Sequence, residues 1–174
     1  TNLNKYKKSW ENEYHLLNNK ESKISLLKDI RKYVKSTKTI DPNEFANNLC
    51  KSLGFDEFNS SNDILDKKLN WEQIKEIINS KLMSIGAHTH SHNILSFLSK
   101  NELQREIDIS LKLIKEKTGL ETIHFSYPEG LSHCFSDREI MELSKRGIRC
   151  CPTAIDGTNK YDQNPFHLKR IMVG

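Results

Sequence analysis

From residue 82 onward, short runs of β-forming residues alternate with helical segments that carry clear start and stop signals. The β-forming runs lie at 82–86, 122–127, 148–151 and 166–173. Ser99 with Glu102 forms a capping box that opens a helix to about Thr118, closed by Gly119, and Ser136 opens a second helix. A strand–helix–strand order is typical of βαβ units. It therefore predicts an α/β fold with a parallel sheet or barrel.

The first 80 residues carry helical patterns instead. Asp41 precedes a proline at the first helical position, and this helix is predicted to end near Gly54, whereas Asn70 caps a later one. Apolar residues at three- and four-residue steps predict two amphipathic helices before these, one with Leu3, Tyr6, Trp10, Tyr14 and Leu17, the other with Ile24, Leu27, Ile30, Tyr33 and Val34. The sequence thus predicts a helical region over 1–70 and an α/β region over 71–174.

Charge is concentrated at the start of the chain. Residues 1–38 hold ten Lys and Arg residues against four Asp and Glu residues, while the whole chain has a net charge of +4. A solvated, lysine-rich helical face explains this best, and we expect no nucleic-acid partner. The alternative is a nucleic-acid-binding helical module within 1–60.

The hydropathy of the chain argues against a membrane span but does not indicate a cellular compartment. Mean hydropathy is −0.67, and no apolar run is long enough to span a bilayer. The chain begins with Thr1 and shows no secretion signal, so we expect its native start to be missing. The compartment stays open between the cytoplasm and the cell envelope.

Three histidines fall within five residues directly after the first predicted strand, at His88, His90 and His92. In parallel α/β folds, sites form at the carboxyl ends of strands. Neutral imidazole is a common ligand of Zn²⁺, Co²⁺ and Ni²⁺, and a four-residue step brings two rings to one side of a turn. We expect His88 and His92 to bind a metal and His90 to be a bystander. A catalytic site would need a third ligand, often a carboxylate; a polar loop that binds nothing is the alternative.

Four segments resemble motifs of the polysaccharide deacetylase family, carbohydrate esterase family four. Residues 84–95, SIGAHTHSHNIL, are similar to its second motif, and 125–130, FSYPEG, to its third. Residues 164–171, NPFHLKRI, resemble the ending of many members, and 70–74, NWEQI, the helix that leads into the second motif. The resemblance covers roughly 70–174, with the motifs in the family's order.

This resemblance implies a partial (β/α) barrel with a helical N-terminal insertion region. It implies a metal-dependent hydrolase that removes N-acetyl groups from the amino sugars of a polysaccharide or other glycan and releases acetate. His88 and His92 would bind the metal, with Zn²⁺ expected first and Co²⁺ or Ni²⁺ as alternatives. The metal would polarise the amide carbonyl and lower the pKa of a bound water.

The same resemblance assigns roles around the third motif. The backbone N–H of Glu129 would stabilise the oxyanion. The side chains of Tyr127, Pro128 and Glu129 would border the sugar pocket. The family's late Leu-x-His, which carries the general acid, is not evident in this chain. His167 and His133 are candidate substitutes, with the alternative that His167 is only a strand residue, and His133 is also a candidate for substrate contact.

Departures from the family pattern are equally informative. The Thr-Phe-Asp-Asp-Gly motif, which supplies a metal-binding Asp and the catalytic base, is not found, and the nearest carboxylates are Asp56, Glu57 and Asp63. Ser126 stands where the third motif has Arg, and Glu129 where it has Tyr. We therefore expect a fragment that lacks the first strands and has little or no turnover. A non-catalytic carbohydrate-binding domain or pseudoenzyme is the alternative.

Overall fold

A computed structural model describes residues 5–55, 67–171 and 173. By its contacts the chain divides into two compact units, Thr1–Lys67 and Lys68–Gly174. Asp56, Glu57 and Asp63, the carboxylates considered above, lie outside the described residues.

The N-terminal unit begins with a β-hairpin rather than a helix. Strands β1 (Lys5–Lys7) and β2 (Tyr14–Leu16) pair antiparallel. The predicted first helix is therefore wrong. A capping box fixes the first helix start only at Asn19, because its side chain accepts a hydrogen bond from the Ser22 N–H. The polar segment before β2 instead forms the turn between the two strands.

The hairpin exposes an aromatic ring that the helical pattern placed in the core. Tyr14 is 60% exposed, and the ammonium groups of Lys5 and Lys7 lie 4.9 and 5.9 Å from its ring centre. The apolar stripe of the predicted first helix would have buried Tyr14 in the core, and this is wrong because β2 turns the ring to solvent. Nucleic-acid binding by this region stays an untested hypothesis.

Helices α1 (Lys20–Ser36) and α2 (Pro42–Ser52) confirm the next two predictions. The Asp41 side chain accepts hydrogen bonds from two N–H groups of the first turn of α2, as its sequence indicates. Trp10 of the hairpin turn stacks on Tyr33 of α1, with ring centres 4.3 Å apart. This contact attaches the hairpin to the helices.

The C-terminal unit contains three helices with the predicted starts: α3 (Trp71–Asn79), α4 (Lys100–Thr118) and α5 (Asp137–Lys145). Each opens with a capping box, at Asn70, Ser99 and Ser136 respectively. Gly119 adopts a left-handed conformation with φ 74° and closes α4.

Parallel pairing links four segments in chain order. Ala87 bridges Phe125, His124 bridges Cys150, and strand β3 (Pro152–Asp156) pairs with β4 (Leu168–Arg170). Parallel pairing of successive segments confirms the α/β class predicted from the alternation. Within the described residues the segments do not close into a barrel.

The predicted strands differ in extent from the observed ones. Leu82 and Met83 are 86% and 68% exposed, and pairing starts only at Ala87, so the predicted run 82–86 is wrong as a strand. Pro152 starts β3 rather than ending a strand, since a first-position proline needs no ladder N–H. The last predicted run is shortened because Pro165–His167 forms a 3-10 turn.

The core of this unit lies between the parallel segments and the helices. Leu103 and Ile107 of α4 and Leu143 of α5 are fully buried, together with Phe125 at 1% exposure. The helices thereby hold the strand ends and the following loops in place. In the described part of the chain, no helix combines the length and hydrophobicity needed to cross a membrane.

Candidate metal centre

His88 is placed by the carboxyl end of the first parallel segment. The N–H of Ala87 donates to the carbonyl of His124, and the Ala87 carbonyl accepts from the N–H of Ser126, both at 2.9 Å. A Cβ atom on Gly86 would lie 3.3 Å from His124, so the two segments approach closely here. The backbone next to His88 is therefore held by hydrogen bonds to the segment 124–126, and this fixes the starting point of the His88 side chain.

The tautomer of His88 follows from its contacts with Ser126. Nδ1 lies 2.8 Å from the Ser126 carbonyl oxygen and 2.8 Å from the Ser126 Oγ. A carbonyl only accepts, so Nδ1 carries the proton and donates it. The lone pair is then on Nε2. Metal-binding histidines commonly donate their other ring N–H to a carbonyl or carboxylate in this way.

Electrostatics favour neutral His88. Its pKa lies below the ordinary value, chiefly because partial desolvation of the ring, which stays in part accessible to solvent, disfavours the imidazolium. The bond to the Ser126 carbonyl opposes this shift, the positive charges of His92 and Arg170 add to it, and the charge of Glu129 opposes it. The form with a free Nε2 lone pair is therefore favoured at neutral pH.

His92 lies beside His88 through an unusual loop. The two ring centres are 4.8 Å apart and the ring planes are inclined at 68°. Thr89 and His92 have φ angles of 66° and 58°, in the left-handed region, where each non-glycine residue costs on the order of 1–3 kcal/mol. The Oγ1 atom of Thr89 is also buried and has no hydrogen-bond partner in the described structure.

A carboxylate on α4 offsets part of this cost. Oε2 of Glu106 accepts hydrogen bonds from the N–H groups of His90, at 3.0 Å, and Ser91, at 2.8 Å. Hydrogen bonds to charged groups contribute about 1.5–3 kcal/mol each. Sequence reasoning missed Glu106, because this contact spans 15 and 16 residues and has no local signal.

A tight turn follows the second parallel segment. The Gly130 N–H donates to the Pro128 carbonyl at 2.7 Å, with Glu129 at φ 60° between them. The Gly130 carbonyl accepts from the Ala154 N–H at 2.8 Å, and a Cβ on Gly130 would lie 2.6 Å from that nitrogen. The turn therefore packs directly on β3.

Arg170 of β4 contacts the same part of β3 as Gly130 does. Its Nε donates to the Thr153 carbonyl. Its charge and that of Glu129 both influence the pKa of His88. In the sequence, Arg170 belongs only to the segment 164–171 that resembles the family's ending, and nothing there indicates that it lies near the histidines. The structure adds it to their electrostatic surroundings.

Tyr127 and Pro128 are core residues in this structure. Tyr127 is 1% exposed, its ring stacks on Phe135 at 4.1 Å, and its hydroxyl donates to the Phe166 carbonyl at 3.1 Å. Burial raises the pKa of Tyr127, and it raises the pKa of Cys151 to about 12. Pro128 is also fully buried. Both residues have a packing role, and the sugar contact predicted for them stays a prediction.

The two candidate general acids contact residues other than His88 and His92. His133 is exposed and its carbonyl accepts from the Ser96 hydroxyl, whereas the ring of His167 lies 5.5 Å from that of Phe135. Within the described residues, no hydrogen bond or ring contact joins either ring to His88 or His92. Neither role is supported by a contact, and both stay predictions.

The donor set fits a metal ion in part. His88 offers Nε2 with its tautomer fixed, and His92 places a second imidazole beside it. Among residues 5–55, 67–171 and 173, no group of three or more His, Cys, Asp or Glu side chains could hold a metal. The described residues would therefore supply two ligands to a metal at this place, and a complete catalytic site would need at least one more.

Solved structures resemble this fold. The deacetylase PplD from Streptococcus pyogenes, solved in complex with acetate, has a TM-score of 0.55 and 23% identity over 61% of this chain and 45% of its own. IcaB from Ammonifex degensii has a TM-score of 0.53 and 24% identity over 62% and 49%. The deacetylase domain of BpsB from Bordetella bronchiseptica has a TM-score of 0.55 and 16% identity over 74% and 65%. The match thus spans less than half the length of the first two.

Sequence comparison is more specific. No curated protein matches this chain. A family model described as polysaccharide deacetylase matches residues 27–150, which include both histidines and the turn at Glu129. This match covers more than half of the chain. The chain belongs to the polysaccharide deacetylase family.

Proposed function

We propose that this chain supplies half of the active site of a metal-dependent hydrolase that removes N-acetyl groups from amino sugars of a polysaccharide or other glycan. The pairing of His88 and His92 at 4.8 Å, with His88 Nδ1 donating to Ser126, carries the proposal. The proposal agrees with membership of the polysaccharide deacetylase family, because a deacetylase that acts on an N-acetyl group breaks an amide C–N bond.

The chain's own residues would act as follows. His88 Nε2 and one nitrogen of His92 would hold the metal, with Zn²⁺ the best match for imidazole donors and Co²⁺ or Ni²⁺ as alternatives. The Ser126 carbonyl would keep the His88 ring in the required orientation and tautomer. A bound divalent metal would supply Lewis-acid polarisation of the substrate carbonyl.

The turn at Glu129 would contribute a backbone donor. We assign its N–H to the oxyanion that develops when water attacks the acetyl carbonyl. The left-handed conformation of Glu129 and the close contact of Gly130 with Ala154 support this assignment, because they hold the turn rigidly. A preorganised donor needs such rigidity to act without reorganisation.

The proposal also concerns the architecture. We propose that the four parallel segments form part of a (β/α) barrel over 71–174, preceded by an insertion region over 1–70 that contains a β-hairpin and helices. We propose that the 174 residues alone have little turnover. This expectation is supported by the incomplete ligand group: among the described residues, no set of three or more His, Cys, Asp or Glu side chains could hold a metal, so the two imidazoles would need a further ligand.

Metal titration tests the proposal directly. The chain would be titrated with Zn²⁺ and with Co²⁺ in a calorimeter. We expect one site per chain that is lost in His88→Ala and in His92→Ala. His90→Ala is the matched control, because His90 lies in the same loop with an exposed side chain. Equal loss in all three variants, or no binding by the wild type, would contradict the proposal.

A second candidate function is a non-catalytic carbohydrate-binding domain. Ser126 in the place of the family's arginine and the incomplete ligand group favour it. It predicts binding of oligomers of an N-acetylated amino sugar without acetate release. Release of acetate from such oligomers that stops in His88→Ala would exclude this candidate.

A further inference from the structure

We propose that Glu106 is a positioning residue, which holds the loop 88–92 in the conformation that brings the imidazoles of His88 and His92 together. The inference rests on the proposed function as far as metal binding is concerned. Its structural part concerns the loop itself and is tested without metal.

Glu106 projects from a rigid part of the fold. Its neighbours on α4, Leu103 and Ile107, are both fully buried in the core. The helix is fixed at its start by the capping box at Ser99 and at its end by Gly119. The half-buried carboxylate of Glu106 is therefore presented to the loop from a fixed position.

One oxygen atom organises two consecutive peptide groups. Oε2 of Glu106 accepts from the N–H groups of both His90 and Ser91, at 3.0 and 2.8 Å. Two successive N–H groups meet at one acceptor only when the chain turns sharply around it. The carboxylate thus imposes a turn between the two metal histidines.

The residues that flank these two peptide groups are those with unfavourable backbone conformations. Thr89 precedes them and His92 follows them, both with φ in the left-handed region. Such conformations persist only where surrounding contacts over-determine them. Without the carboxylate, we expect the loop to relax toward ordinary conformations and the two rings to separate.

Substitutions separate the acceptor from the charge. Glu106→Ala removes both, whereas Glu106→Gln keeps a carbonyl oxygen that accepts from the same N–H groups. Glu116→Ala is the matched control: it changes the same residue type on the same helix, and Glu116 is exposed, with an ion pair to Lys112 at 3.7 Å. All variants would be compared with the wild type by circular dichroism.

Two measurements on the whole chain test the inference. The first is Zn²⁺ titration, in which Glu106→Ala should weaken binding about 10- to 100-fold, the range typical for loss of a residue that orients metal ligands. Glu106→Gln should weaken it less, and Glu116→Ala should leave it unchanged. The second is hydrogen exchange of the His90 and Ser91 amides in metal-free protein, which should accelerate in Glu106→Ala only.

The outcomes distinguish failure of the proposed metal site from failure of the proposed role of Glu106 in the loop. If the wild type binds Zn²⁺ and Glu106→Ala binds it equally well with unchanged amide exchange, the inference is overturned and the proposed function stands. If the wild type binds no Zn²⁺ but Glu106→Ala loses amide protection, the proposed metal site fails and the control of the loop by Glu106 is retained. Equal effects in Glu116→Ala would mean a general effect on α4 and would overturn the inference.

Discussion

The Nδ1 atom of His88 lies 2.8 Å from the carbonyl oxygen of Ser126. The backbone of the segment that contains Phe125 and Ser126 therefore orients the ring of His88, which follows the neighbouring segment at Ala87. The contact uses a main-chain oxygen. A main-chain carbonyl is present whatever side chain stands at position 126, and in this structure the Ser126 Oγ also lies 2.8 Å from the same Nδ1.

This arrangement predicts a pH dependence of folding. The pKa of His88 is lowered in the folded protein, mainly by burial. The unfolded chain therefore binds more protons between the folded pKa and the ordinary value of about 6.5. The contribution of His88 to stability is complete above that ordinary value and is lost as the pH falls toward the folded pKa.

Urea unfolding of metal-free protein between pH 5 and 7.5 measures this effect. We expect His88→Asn to reduce the rise of the free energy of unfolding with pH. His90→Asn serves as the control for general changes in charge. An identical pH slope in wild type and His88→Asn would show that His88 is not desolvated on folding.

Gly130 should tolerate no side chain. An added Cβ would lie 2.6 Å from the Ala154 nitrogen, and the φ of 64° is already unfavourable for alanine. Overpacking typically costs about 1–3 kcal/mol, and the left-handed conformation costs about 1–2 kcal/mol more. Chemical unfolding of Gly130→Ala measures the sum.

Gly119→Ala is the matched control for Gly130→Ala. Its φ is 74°, yet nothing lies within 4 Å of the added Cβ. We therefore expect only the conformational cost, about 1–2 kcal/mol. If both variants lost equal stability, the packing of the turn on β3 would be looser than described.

Tyr127 should behave as a structural residue. Tyr127→Phe keeps the stacking on Phe135 and removes the hydrogen bond to the Phe166 carbonyl, which predicts a loss of about 1 kcal/mol in unfolding free energy. Tyr127→Ala should cost about 3–5 kcal/mol. Loss of saccharide binding in Tyr127→Phe without loss of stability would instead support the sugar contact predicted from the family motif.

A buried carboxylate on α5 should contribute to the acid sensitivity of the fold. Arg146, Lys145 and Gln104 donate hydrogen bonds to Glu142 and lower its pKa to about 2. A lowered folded pKa stabilises the protein above the unfolded value, and this contribution is lost as the pH falls toward about 2.

Glu142→Gln should therefore be clearly less stable than the wild type at pH 7 and close to it near pH 2.5. Unfolding by urea at both pH values checks this. Glu116→Gln is the control, since Glu116 is an exposed carboxylate on α4. A constant difference at both pH values would assign the effect to packing rather than to the ionised carboxylate.

Local signals predicted the helices, and non-local contacts decided the rest. Ser99, Asp41 and Asn70 begin helices because their side chains accept hydrogen bonds from N–H groups two or three residues later, and such contacts are readable in sequence. Trp10 stacks on Tyr33, a partner 23 residues away, which the spacing of apolar residues does not encode. The hairpin was therefore predicted as a helix.

The site divides in the same way. The spacing of His88 and His92, together with the resemblance to the family motif, identified two neighbouring imidazoles, and their rings are indeed adjacent. Glu106 and Arg170 reach the site from α4 and β4, so neither could be found from a short motif. The carboxylates that sequence reasoning considered, at positions 56, 57 and 63, lie outside the described residues.

The left-handed conformations of Thr89 and His92 imply that selection for stability and selection for metal binding would favour different residues in this loop. Glycine adopts this conformation more readily than threonine or histidine. A directed search for thermostable variants would therefore favour replacement of His92, although that replacement removes a proposed metal ligand. Selection for heat resistance alone would be expected to eliminate the proposed metal site, so such a search should also screen each variant for zinc binding.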